Sequence, residues 1–285
     1  MVAPDGFASI YAISLLYGSP PSIDDDALLA ALTRRCGNVR RFGATKNSSF
    51  VLLNHAMTHA DGAQMPVQCS VTAHDEGFDP SHLEPEREQT WDWKGAAEAL
   101  DRARASVTVS DLLADGLHPT HRIQLFERVV ASVLDVAPSL CIAWSPSQRL
   151  VEPQRFLDTI ETDPLHAAMN VRYFDLRDRP EGEHLMDTLG LAALGYPDLQ
   201  VHFRRLPPRQ VAAFLTGAGQ YHCQGEGAIG DGDTVPGPSG DPWICHLGHS
   251  LLPPRRNVID IEPSPVFSAR LVGKRYGCTI QRRPT

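Results

Sequence analysis

Apolar and polar positions alternate with a period that changes repeatedly along the chain, and each change predicts an element. Residues 8–17 are rich in β-branched and aromatic side chains and predict a buried strand. Asp24, Asp25 and Asp26 then open a helix reaching Cys36, with acidic groups at its positive end. Residues 49–54 and 65–73 predict strands, and the polar, proline-containing segment 74–89 predicts a long surface loop. Alanine and leucine at helical spacing over 91–104, a strand over 105–112, an amphipathic helix over 120–137 and a strand over 140–144 follow. The order strand, helix, strand, strand, helix, strand is that of a ferredoxin-like unit, here extended by a further helix and strand.

Past Ser145 proline and serine become more frequent, Pro153 begins a short helix to Ile160, and a boundary is placed near Glu161. A strand over 169–176 leads to the densest stretch of the chain, MDTLGLAALGYPDLQVHFR at 186–204. There Asp187 and Thr188 are expected to cap a helix carrying Leu189, Leu191 and Leu194, and Gly195-Tyr196-Pro197 to stop it. Leu199, Val201 and Phe203 then alternate as a strand, with Asp198 as a turn residue ahead of it. A helix over 208–222, a glycine-rich loop over 225–240 and strands over 243–247 and 258–261 complete the second half. The expected fold is α+β with mixed sheets. A ferredoxin-like half, 1–160, packs against a second α+β half, 161–270, and 271–285 is a basic tail with Lys274, Arg275, Arg282 and Arg283.

Five segments, NVRYFD (170–175), the 186–204 stretch, GEGAIGDGDTVPG (225–237), WIC (243–245) and PPRRNVIDIEP (253–263), together resemble a bacterial family catalogued as domain of unknown function 4261. TWDWKGAAEALDRARASVTVSDL and CIAWSPSQRLVEPQRFL extend the resemblance upstream, so that it covers about residues 90–263. It implies shared architecture, and it brings no reaction and no functional residue with it.

Composition narrows the classes. At 285 residues, 42% hydrophobic and 21% charged, the chain has the balance of a soluble globular protein with a substantial core. A formal net charge of −8 disfavours a sequence-independent grip on nucleic acid and suits a basic protein partner. Six scattered cysteines without short pair spacing point to a reducing compartment. The start of the chain lacks the positive charge of a signal peptide, and no run approaches the roughly 18 apolar residues of a membrane span. A cytoplasmic protein without a membrane partner is expected.

The candidate chemistry is sparse. GEGAIG at 225–230 is a literal G-x-G-x-x-G, but it follows a helix instead of a strand and runs into Asp231-Gly232-Asp233, so it reads as a turn. No cofactor is implied. His222, Cys223, Cys245, His246 and His249 concentrate soft and borderline metal ligands, though adjacent residues in extended chain point to opposite faces. His55 and His59 stand four apart without the glutamate of a metalloprotease helix, and His118 and His121 flank a helix entrance. Cys141 lies inside an apolar strand, where burial makes a thiol inert. The acidic candidates are Asp187 and Asp198. Arg172, Arg204, Arg205, Arg255 and Arg256 can bind an anion or pair internally with Asp175, Asp198 or Asp260.

Trp91 and Trp93, two apart, are expected on one side of an extended segment as a contact patch or as packing. The binding residues expected from sequence are therefore Trp91, Trp93, Arg172, Asp187, Asp198 and Arg204. The function expected is a non-enzymatic cytosolic interaction factor, an immunity or accessory protein of a bacterial toxin or secretion system. The alternative is a hydrolase or metal-dependent enzyme built on the Cys/His group.

Overall fold

The computed structural model of the protein describes residues 4–42, 47–58, 62–74, 77–176, 182–224 and 229–269. The chain divides into two compact units: one is Ala8–Ala168, and the other joins Met1–Phe7 to Met169–Thr285. The division thus follows Ala168, where the sequence placed a boundary near Glu161, and the first residues of the chain belong with the second unit. The expected tail, 271–285, lies outside the described residues.

The first unit runs β1 (Ala12–Tyr17), α1 (Asp25–Cys36), β2 (Val39–Phe42), β3 (Asn47–Thr58), β4 (Gln64–Ala73), α2 (Glu84–Gln89), α3 (Ala96–Arg102), β5 (Ala105–Leu112), α4 (Pro119–Val136), β6 (Cys141–Trp144), β7 (Arg149–Val151) and α5 (Pro153–Thr159). Its described strands form one sheet in the order β2-β3-β4-β5-β1-β6-β7, with antiparallel pairing throughout. The central order β4-β5-β1-β6, with α1 following β1 and α4 joining β5 to β6, is a ferredoxin-like arrangement, and the helix and strand over 120–144, read from sequence as an extension, belong to the unit itself. Strands β2 and β3 extend one edge and β7 the other.

Local signals account for much of this. Asp24 accepts the Ala27 N–H at 2.8 Å to cap α1, Asp25 and Asp26 fill the first turn, Arg34 and Arg35 the last, and Gly37 ends the helix at φ 84°. Two edge strands, β2 and β7, were not anticipated, because VRRF and RLV are too short to show a period of two. The expected loop 74–89 also contains helix α2, whose EPEREQ is built from helix formers despite its polarity. Conversely, the helix expected over 91–104 shrinks to Ala96–Arg102, preceded by a loop.

The core of this unit centres on Tyr11, Phe126, Trp144 and Phe156, with neighbouring ring centroids 5.2–6.2 Å apart, and Trp144 Nε1 donates to the Tyr11 hydroxyl at 2.8 Å. Beside it, Arg122 and Asp111 form a buried bidentate pair at 2.7 and 2.9 Å. Glu127, on the same helix as Arg122, is buried with Oε2 lacking a hydrogen-bond partner.

The second unit runs β8 (Asn170–Asp175), β9 (Glu183–Leu189), α6 (Leu191–Leu194), β10 (Asp198–Arg204), α7 (Pro208–Gln224), β11 (Thr234–Pro236), β12 (Pro242–His249) and β13 (Asn257–Glu262). Its described strands order as β11-β12-β13-β10-β9-β8. Neighbours β10 and β13 are parallel, because α7, β11 and β12 intervene in the chain, and the remaining pairs are antiparallel. The sheet is mixed, and the protein is α+β.

Leu199, Val201 and Phe203 share a core with Val211, Leu215 and Trp243. The alternate residues Asp198, Gln200 and His202, buried as well, face the other side of the sheet. Among the described residues no helix is long and apolar enough to cross a membrane.

Burial, with Asp163 and Glu161 adding to it, holds the Glu127 carboxyl well above its ordinary value. Its stabilising contribution is full below the unfolded carboxyl value near 4.3 and is lost as pH rises through the folded value. Glu127→Gln is therefore expected to leave stability unchanged at pH 4 and to raise it by about 1 kcal/mol or more at pH 8, read by urea unfolding. An equal effect at both pH values contradicts the assignment.

Candidate functional site

The 186–204 stretch builds differently from its expected form. Asp187 and Thr188 do not cap a helix; they lie just before the last residue, Leu189, of strand β9, which the weak alternation of EHLMDTL concealed. The turn to α6 is made at Gly190, whose φ of 122° suits glycine. Asp198 is not a turn residue either. It opens β10, and its carboxylate reaches back to accept the N–H groups of Leu191 and Ala192 at 3.1 and 3.3 Å. The cap of α6 thus comes from the strand after the helix. Gly195, at φ 100°, closes α6, with Gly195 N donating to Ala192 O and Tyr196 N to Leu191 O.

Around this hairpin four ionisable side chains converge. Arg172 stands directly across from Asp187 in the β8–β9 register. Its Nε donates to Asp187 Oδ1 at 2.9 Å, Nη2 to Oδ2 at 2.6 Å, and Nη1 to the Pro253 carbonyl at 2.9 Å. Arg256 completes the cluster. Its Nε donates to Asp198 Oδ2 at 2.8 Å and Nη2 to Asp187 Oδ2 at 2.7 Å and to Thr188 O at 2.8 Å. Nη1 donates to the Leu252 and Pro254 carbonyls at 3.3 and 2.9 Å. All five guanidinium N–H donors are therefore engaged. The Thr188 hydroxyl donates to Asp198 Oδ1 at 2.9 Å and accepts the Leu199 N–H at 2.8 Å.

Two guanidinium and two carboxylate groups balance in charge, and each of the four side chains is no more than 4% exposed. Burial pushes the Asp198 carboxyl up from its ordinary value, with Arg256 and the Thr188 hydroxyl pulling against it. Burial also works against the charge on Arg256, and Asp187 and Asp198 outweigh it to hold the guanidinium above its ordinary value. The first residues of the chain close over the cluster: a Cβ at Gly6 would lie 2.9 Å from the Arg256 Cβ, and Asn257 N donates to Asp5 O at 3.3 Å. With its oxygens occupied and water excluded, the cluster suits holding strands together better than moving protons.

Three of the expected binding residues, Arg172, Asp187 and Asp198, thus meet in one cluster, and Arg256 is the member that the expected set left out. Its signal lay in the sequence as one of two adjacent arginines in PPRRN, of which Arg255 is exposed and 3.6 Å from Asp5. Arg204, at the far end of β10, stays outside the network, and its backbone N–H donates to Phe267 O at 2.8 Å. Trp91 and Trp93 lie in the other unit and part company: Trp91 is 55% exposed, whereas Trp93 packs against a core that includes Ala96, Leu100 and Cys141.

The Cys/His group is dispersed among different uses. His222 Nδ1 accepts the Ile229 N–H at 2.9 Å, and burial lowers the basicity of its ring. Burial pushes the Cys223 thiol up to about 12 and the Cys245 thiol up to about 11, away from the thiolate that a metal requires. His246 lies 3.3 Å from Glu262, and His249 is exposed at the end of β12. Among the described residues no three or more His, Cys, Asp or Glu side chains gather as metal ligands do. Of GEGAIG, positions 225–228 fall outside the described residues, and Gly230 N donates to Asp233 Oδ2 at 2.7 Å in a turn. Burial likewise pushes the Cys141 thiol up to about 12.

Fold and cluster together define an α+β protein whose second unit is organised around a buried, charge-balanced arginine–aspartate network. Residues 187–262, from Asp187 to the end of β13, match the family described as Domain of unknown function (DUF4261). That match contains Asp187, Asp198 and Arg256, omits Arg172, and is narrower than the stretch 90–263 over which the motifs resemble the family. No curated protein and no solved structure matches the chain.

Removing Arg256 leaves the Asp198 carboxylate buried without a cation and Asp187 with Arg172 alone. Arg256→Leu is expected to destabilise the second unit by about 3–5 kcal/mol, whereas Arg255→Leu next to it stays within about 0.5 kcal/mol of the parent. Urea unfolding followed by the fluorescence of Trp243 measures both. Equal effects at the two positions contradict the network's role.

Proposed function

We propose that this protein is a non-enzymatic interaction factor of the bacterial cytoplasm, an immunity or accessory protein of a toxin or secretion system, and that its partner is a basic protein. The observation that carries this reading is the division of labour among its side chains. Asp187, Asp198 and Arg256 are spent on one another and on Arg172 inside the second unit, while large apolar side chains are turned to solvent.

In the second unit, β12 outruns its three-residue neighbour β11 and presents Ile244 at 48% and Leu247 at 57% exposure. In the first unit Trp91 and Phe42 are large exposed aromatics, at 55% and 41% exposure. Exposed apolar side chains of this size act as interface anchors, and tryptophan is the commonest hot-spot residue. The net charge of −8 supplies the long-range attraction that accelerates association with a basic partner. The hydrolase or metal-enzyme alternative has less support, since His222 Nδ1 is taken by a backbone N–H and Cys245 lies in the core.

Affinity isolation of the full chain from its native host is expected to recover one basic protein at equal stoichiometry, with an association rate that falls as salt rises. Leu247→Asp or Trp91→Ala should weaken that complex at least about tenfold, or 1.4 kcal/mol. Failure to recover a stoichiometric partner, or a partner that binds both variants as tightly as the parent, overturns the proposal.

A further inference from the structure

One member of each histidine pair visible in the sequence meets the other within the first unit. His55 on β3 and His121 in the first turn of α4 bring Nδ1 and Nε2 to 3.1 Å. The second nitrogen of His55, Nε2, lies 3.2 Å from the carbonyl of Cys36, the last residue of α1. A carbonyl can only accept, so in the neutral ring Nε2 carries the proton and the Nδ1 lone pair is aimed at His121. His59 lies outside the described residues.

We propose that His55 Nδ1 and His121 Nε2 form a two-histidine binding site for a divalent transition-metal ion of the zinc, nickel and copper class, with its remaining coordination positions open to water or a further ligand. The spacing fits: two metal–nitrogen bonds of about 2.05 Å meeting at about 100° span roughly 3.1 Å. A metal-ligating histidine characteristically donates its other N–H to a carbonyl or carboxylate, and the Cys36 carbonyl is so placed for His55. His121 stands on an eighteen-residue helix and His55 on a twelve-residue strand, in the stretch between Leu52 and Ala56 where the pairing with β4 shifts register. His121 is exposed and His55 half-buried, leaving a path for the ion and its waters.

Without metal, the His121 Nε2 proton can be shared with His55 Nδ1, a bond that adds little at a solvent-exposed position. With metal, the ion takes the place of that proton, which moves to His121 Nδ1, so two neutral rings bind without net proton release. Burial lowers the basicity of His55 against the Cys36 carbonyl, which raises it, and the neighbouring His121 and Arg128 add to the lowering. The same Arg128 charge opposes a cation and keeps the affinity moderate.

The test is titration of the untagged, metal-stripped full chain with Cu²⁺, Ni²⁺ and Zn²⁺, followed by calorimetry and thermal unfolding. Saturable micromolar binding is expected, tightest for Cu²⁺, with Tm rising as metal is added. His55→Ala and His121→Ala should each weaken binding at least tenfold, while His246→Ala leaves it unchanged. On the parent protein, Cu²⁺ should selectively broaden the imidazole NMR signals of His55 and His121, a readout that needs no variant. Absence of saturable binding below about 1 mM, broadening centred on other histidines, or unchanged affinity in both alanine variants overturns the proposal.

Discussion

The Arg256 guanidinium is the interaction on which the second unit turns. A cation of this kind is costly to bury unless every donor finds an acceptor, and here five donors meet two aspartates and three backbone carbonyls. Those acceptors come from β9, from the first residue of β10 and from the loop between β12 and β13. One planar group therefore fixes the relative positions of segments that lie far apart in the chain. Arg172 adds β8 to the set through the opposite side of Asp187. Such a network contributes less to net stability than its bond count suggests, because desolvation offsets much of the attraction. What it supplies is geometry, since alternative registers of β8, β9 and β10 would strand a charge in the core.

Helix α6 shows how the constraint reaches local structure. Four residues cannot nucleate a helix unaided. Asp198 holds the first N–H groups of this one turn from outside, glycines at positive φ bend the chain into and out of it, and Asp198 is held in turn by Arg256 and Thr188. Cap, strand and ion pair are one object, and the 187–262 family match contains Asp187, Asp198 and Arg256 of it. Convergence of ionisable groups is a common mark of catalysis, but catalytic groups are left with an unfilled demand at the reacting atom. In this cluster the demand is met internally, which is why the function is sought on the exposed apolar side chains.

Much of the architecture was legible because its signals are local. Helix α1 declares itself through Asp24, its acidic start and its basic end, and the long amphipathic α4 and the strand β5 follow from periodicity alone. The ferredoxin-like order was readable for the same reason. Where sequence reasoning failed, the cause was a local signal serving a distant partner. Asp187 and Thr188 are good capping residues by type, yet they lie in a strand because Asp187 answers Arg172 fifteen residues away and Arg256 sixty-nine residues away. Arg172, Asp187 and Asp198 could be singled out by charge in an apolar context. That Arg256 joins them, and that His55 meets His121, depends on strand order and helix placement, which no spacing along the chain encodes.

The central claim, that the guanidinium of Arg256 is locked in a dry, fully paired core, is tested most directly by hydrogen exchange of its Nε proton in the native protein. The account predicts an Arg256 Nε–H signal that persists as long as the core amides of Val201 and Ile259, beside an Arg255 Nε–H that exchanges at once. Equal, rapid exchange at both arginines would contradict it.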